Sequence, residues 1–141
     1  MKKLLFGLLS SLIILFSSCN NGPNLQVVRK SSEFLHCQKI FAEHLDALHK
    51  ENEILLQTGS TDSAKAAIIE VDDNEIILYH LKSYPANDGT TEEYAGSDYK
   101  LTLTYKENTN EHGTVIYKGK FVVEDKKSRR EYQVEGWECN L

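Results

Sequence analysis

The sequence predicts an α+β domain: an N-terminal amphipathic helix packed on an antiparallel meander sheet of about five strands. Three observations predict it. Between Ser31 and about Thr58, Phe34, Cys37, Phe41, Leu45, Leu48 and Leu55 recur at steps of three, four and seven, the stripe of a helix with one buried face. Beyond Ala66 the period falls to two, most cleanly where Tyr99, Leu101, Leu103 and Tyr105 alternate with Lys100, Thr102, Thr104 and Lys106, as in a half-solvated antiparallel strand. Short clusters of Asn, Asp, Gly and Ser separate these runs, as hairpin turns require.

Taken in order, the helix opens at Ser31 or Ser32, either of which can cap it, with Glu33 favourable in its first turn. Gly59 is its stop, followed by the polar break Ser60-Thr61-Asp62-Ser63. Ala66 to Val71 and Ile76 to Lys82 are two strands joined by a tight turn at Asp72-Asp73-Asn74. Ser83 to Asp98 reads as a long irregular loop with a turn at Asn87-Asp88-Gly89. Tyr99 to Lys106, Val115 to Glu124 and Glu131 to Cys139 complete the sheet, with turns at 108–113 and at Lys126-Lys127-Ser128-Arg129-Arg130. In the last strand Tyr132 and Val134 are out of phase with Trp137 and Cys139. A bulge near Gly136 would place all four on the core side.

Ahead of this domain, Lys2 and Lys3 precede an apolar run from Leu4 to Phe16, which ends in Ser17-Ser18-Cys19. A basic start, a short apolar middle and small residues at a cleavage point make a secretory signal, and a run of thirteen residues, broken only by Gly7, Ser10 and Ser11, falls short of the roughly 20 that span a bilayer. Phe16-Ser17-Ser18-Cys19 resembles the lipobox of bacterial lipoproteins, with Phe16 where that family usually has Leu. The resemblance covers residues 1–19 only. It implies cleavage before Cys19, acylation of that residue, and a membrane partner held through its acyl chains. Asn20 after the cysteine, rather than aspartate, implies an outer-membrane address by the same resemblance. The expected organisation is a signal peptide at 1–18, an acylated cysteine and tether at 19–30, and one α+β domain at 31–141.

Removing the leader takes away two of the 16 Lys and Arg and none of the 21 Asp and Glu, so the formal charge moves from −5 to −7. That balance argues against nucleic acid, whose phosphates need a basic face. It suits either plain solubility or a basic protein partner. Once Cys19 is acylated, Cys37 and Cys139 remain. In an oxidising compartment such a pair forms a disulfide, the alternative being two buried thiols.

Catalytic signals are absent from the sequence. His36, His44, His49, His80 and His112 make no local metal-ligand spacing, no CxxC occurs, and no nucleophile elbow or phosphate loop is present. No cofactor or metal is expected. Tyr84, Tyr94 and Trp137 are the candidate binding aromatics, as surface anchors or as the lining of a pocket between helix and sheet; the alternative is that the two tyrosines pack down and hold their loop. The functional expectation is a non-catalytic, lipid-anchored envelope protein that binds a macromolecular partner or serves envelope assembly. A small-ligand carrier is the second reading. An enzyme is the third, and it would need distant groups such as His80 and Glu92 to converge.

Overall fold

The computed structural model describes residues 22–28, 36–43, 54–87 and 89–139. Within them the chain is all-β. Nine strands are described: β1 (Leu25–Gln26), β2 (His36–Ala42), β3 (Leu56–Ser60), β4 (Lys65–Val71), β5 (Asn74–Ala86), β6 (Gly89–Ala95), β7 (Lys100–Thr109), β8 (Val115–Glu124) and β9 (Arg129–Glu138). From β2 to β9 each strand pairs antiparallel with the next, and β9 returns to β2, so eight strands close into an up-and-down barrel. β1 adds two residues to β4, Leu25 opposite Val71 and Gln26 opposite Glu70.

The expected helix is therefore corrected. His36–Ala42 and Leu56–Ser60 are strands paired with each other, and no helix occurs among the described residues. The spacing misled because a step of four, such as Cys37 to Phe41, is in phase with both a 3.6 and a 2.0 repeat. Ser31 to Leu35 and His44 to Glu53, with the other stripe residues Phe34, Leu45 and Leu48, lie outside the described residues. The five-strand open meander is corrected with it, since β2 and β3 supply the staves that close the sheet. The long loop at Ser83–Asp98 is also corrected: its first part extends β5 and most of the rest is β6, in register from Lys82 opposite Glu93 to Ala86 opposite Gly89.

Other expectations match. Asp72 and Asp73 both take positive φ, 51° and 62°, and connect β4 to β5 as a two-residue turn. In β7, Leu101 and Leu103 are fully buried while Lys100 and Lys106 are exposed. Gly136, however, marks no bulge. The β8–β9 register runs unbroken from Ile116 opposite Trp137 to Glu124 opposite Arg129. Gly136 faces inward instead, where a Cβ would stand 2.3 Å from the Ile40 carbonyl oxygen and 2.6 Å from the Phe41 ring. A side chain there would push β9 off β2.

Eight strands enclose a bore that side chains alone can fill. Phe41, Leu56, Ala67, Ile69, Leu78, Tyr94, Leu101, Leu103, Phe121 and Val123 fill it, all without solvent exposure. One end is shut. Leu25 joins the core there, its N–H donates to the Tyr132 hydroxyl at 3.0 Å, and that hydroxyl donates to the Pro23 carbonyl at 2.9 Å. The turns at 72–73, 96–99 and 125–128 surround this closed end. The turns at 61–64 and 110–114, with Asn87 at the end of β5, surround the other. Outside, Ile40, Ala42, Ile54 and Trp137 form one small cluster and Val28, Ala66, Ile68, Ile54 and Ile77 another.

Candidate functional site at the open barrel mouth

The inward positions change character towards the open end. Alternation that places Phe41 inside also turns Lys39 inward, and the same holds for Tyr105 beyond Leu103, Glu92 beyond Tyr94, and Lys65 before Ala67. Glu92 is the buried charge of this layer, its side chain 4% exposed. It accepts from Lys65 Nζ at 2.8 Å, from the Tyr94 hydroxyl at 2.6 Å and from the Tyr105 hydroxyl at 3.2 Å. Burial by itself would raise its pKa. Hydrogen bonds from Lys65 and Tyr94, with the charges of Lys65 and Lys39, outweigh that and hold the carboxyl below its usual range. The same arrangement pushes Tyr94 and Tyr105 far up, first through burial and then through the Glu92 carboxylate, so both stay neutral donors.

Above this layer the mouth opens into a cavity of about 570 Å³. Lys39, Tyr105, Tyr117, Glu107 and Glu138 line it, together with the β5–β6 turn at Asn87, Gly89 and Thr90. Tyr105 and Tyr117 meet edge to face with centroids 5.3 Å apart. The Lys39 ammonium lies 5.5 and 5.4 Å from their centroids, close enough for both rings to attract it. No carboxylate forms an ion pair with Lys39 among the described residues. Its cross-strand neighbour Glu138 instead accepts from the Tyr117 hydroxyl at 2.9 Å. The mouth thus presents Lys39 and Lys106 together with the carboxylates of Glu107 and Glu138 around two aromatic rings. Such a site can hold a polar or charged group by hydrogen bonds and charge.

The residues singled out from sequence lie elsewhere, and the structure does not bring them together. Tyr94 is fully buried and donates to Glu92. Tyr84 is exposed on the outer face of the β5–β6 hairpin, donates to Glu93 at 3.1 Å and carries Lys82 over its ring at 5.5 Å. Trp137 packs outside the barrel against the Ile40 cluster. Of the histidines, His80 shares a 2.7 Å hydrogen bond with Ser83 and meets the Tyr94 ring edge-on at 5.4 Å. No hydrogen bond joins His80 to Glu92 among the described residues. His44 and His49 lie outside the described residues, and no group of three metal-ligating side chains occurs within them.

Cys37 and Cys139 are joined by a disulfide, with Cα atoms 5.8 Å apart, at the rim of this mouth. The bridge ties the start of β2 to the end of β9, beside a seam of only four residue pairs, Lys39–Ala42 with Glu138–Glu135. Sequence reasoning named Glu92 only as a hypothetical partner of His80 and missed Lys39, Lys65, Tyr105, Tyr117 and Glu138 as site residues. Their signal was available in part: each is a polar residue in phase with the inward side chains of its strand, near the strand's end. Comparison with protein-family models, curated proteins and solved structures yields no match to this chain.

Proposed function

We propose that this chain is a non-catalytic, lipid-anchored binding protein of the bacterial cell envelope, held at the outer membrane, whose barrel mouth receives a macromolecular partner. The disulfide carries the export part of the reading. A pair bridged across 102 positions belongs to an oxidising compartment, which agrees with the leader at 1–18 and with acylation of Cys19. The mouth carries the binding part: it is the place where the described structure gathers unpaired charge, aromatic rings and open volume. Carboxylates such as Glu138 and Glu107 there offer a basic protein partner salt-sensitive contacts. Two tests separate the parts. Intact mass of membrane-extracted protein is expected to show a chain beginning at Cys19, heavier by acyl groups; an unprocessed chain would remove the anchor. Salt-sensitive capture of a basic envelope partner is expected to be lost in Glu107→Gln with Glu138→Gln, and capture equal to wild type would remove the mouth as the site.

The cavity volume favours one second reading, a small polar ligand, since about 570 Å³ lies within the span of small-molecule pockets. The lining, however, is charged rather than apolar. Native mass spectrometry of the extracted protein distinguishes the two: a retained small molecule, lost in Lys39→Met, would favour the second reading.

A further inference from the structure

The first described residues fix where the chain leaves the barrel. Gly22 lies against the start of β9, so closely that a Cβ would stand 2.2 Å from the Arg129 carbonyl carbon and the Arg130 nitrogen. Asn24 Oδ1 accepts from Arg130 Nη1 at 2.7 Å, and Pro23 and Leu25 are held by Tyr132. Cys19 stands three residues before Gly22, so its Cα lies at most about 11 Å from that of Gly22. An acyl anchor on Cys19 would therefore keep the closed end at the bilayer surface. The turn beside the exit point is the basic one. Lys126, Lys127 and Arg129 are exposed there. Asp125 is turned back into the turn, accepting from the N–H groups of Lys127 and Ser128 at 2.8 Å each and from the Ser128 hydroxyl at 2.9 Å. The other closed-end turns carry exposed Asp72, Asp73 and Asp98.

We propose that the β8–β9 turn, through Lys126, Lys127 and Arg129, is a contact surface for anionic phospholipid headgroups, which sets the anchored barrel on its closed end and directs the mouth away from the membrane. The inference rests on the acylation of Cys19. An anchor of acyl chains limits distance but does not by itself set tilt. A basic patch beside it supplies a second, electrostatic contact of the kind that strengthens lipid anchors. The acidic turns at 72–73 and 96–99 are repelled by the same surface, so the barrel leans towards β8–β9.

The test uses the full acylated protein in vesicles of phosphatidylcholine, alone or mixed with phosphatidylglycerol, with a spin label on the lipid headgroups as quencher. Trp137, the sole tryptophan, is replaced by Phe, and one reporter is introduced at either end, Ser97→Trp or His112→Trp. Ser97 lines a shallow hollow with Lys126, whereas His112 is at the mouth. Quenching at Ser97→Trp is expected to rise with phosphatidylglycerol and fall back in high salt, while His112→Trp stays unquenched in both vesicles. Adding Lys126→Gln and Lys127→Gln is expected to reduce the phosphatidylglycerol-dependent gain by about fivefold per charge removed. With acyl mass present on Cys19, equal quenching of Ser97→Trp in the two lipids, or quenching of His112→Trp, would overturn the proposal alone. A chain without acyl mass would overturn the anchor reading and this proposal with it.

Discussion

Glu92 is the residue on which the polar end of the barrel depends. Its side chain is nearly free of solvent yet ionised, because Lys65, Tyr94 and Tyr105 all donate to it. Glu92→Gln keeps the shape but removes the charge that Lys65 answers. Since Lys65 is a third exposed and can turn to water, we expect a loss of about 1–3 kcal/mol in denaturant unfolding rather than the larger cost of a fully buried pair. The pH dependence follows from the lowered carboxyl. A group whose folded pKa is depressed contributes stability that is present above its unfolded value, about 4.3, and is lost as pH falls through the folded value. Wild type should therefore weaken below about pH 4 more steeply than Glu92→Gln, read as unfolding midpoint against pH. Thr58 offers the opposite case. It is fully buried and its hydroxyl has no hydrogen-bond partner, so Thr58→Val should stabilise by about 1 kcal/mol. A destabilised variant would mean that the hydroxyl is bonded in solution. The burial of neither residue could be read from sequence, because a Glu after Thr91 and a Thr after Gln57 look like surface positions until the strand's inward phase is known.

At the scale of elements, the β2–β9 seam closes the barrel through a short pairing between strands far apart in the chain. Four residue pairs hold it, the disulfide lies beside it, and Gly136 lets the Phe41 ring approach. Cys37→Ser with Cys139→Ser removes a link across 102 positions, worth up to about 4.7 kcal/mol in the chain-entropy account. We expect most of that loss in thermal or denaturant unfolding. We also expect faster amide exchange at Lys39–Ala42 than at the long β7–β8 pairing, and unchanged relative rates would show that the bridge does not guard the seam. The strands that could be read from sequence were those with strict alternation, β7 and β8, and those flanking a turn with fixed chemistry, β4 and β5 at Asp72-Asp73. β2 and β3 were hidden because their apolar spacing also fits a helix. β6 was hidden because Thr90, Thr91, Glu92 and Glu93 lack the apolar alternation of a strand, although Glu92 faces the core.

At the scale of the whole molecule, polarity marks the β7–β9 face as one that meets water. The outward positions of β7, β8 and β9 carry Lys100, Lys118, Lys120, Glu131, Gln133 and Glu135, with cross-strand pairs Lys118–Glu135 at 3.8 Å and Lys120–Glu131 at 3.5 Å. The interior is apolar. A spanning barrel has the reverse arrangement, an apolar outer band around a polar lumen. Exposed pairs of this kind add at most about 1 kcal/mol each; what they report is which face meets water. On the proposed reading, attachment to a membrane depends on Cys19, with the β8–β9 turn adding a weaker contact. Cys19→Ser is expected to leave the folded protein in the soluble fraction after export, and a variant that stayed with the membrane would contradict that dependence.

The sequence by itself determined the pairing of Cys37 with Cys139 as a candidate bridge, the tight turn at Asp72-Asp73 and the alternating strands from Tyr99 onward. These are local properties, set by neighbours in the chain. Only the tertiary structure decided that β2 and β3 are strands, that the sheet closes, and that Lys39, Glu92, Tyr105, Tyr117 and Glu138 share one mouth. Those outcomes depend on pairing between positions as far apart as Lys39 and Glu138. Closing the barrel satisfies the backbone groups of β2 and β9 together, and no local periodicity encodes that gain.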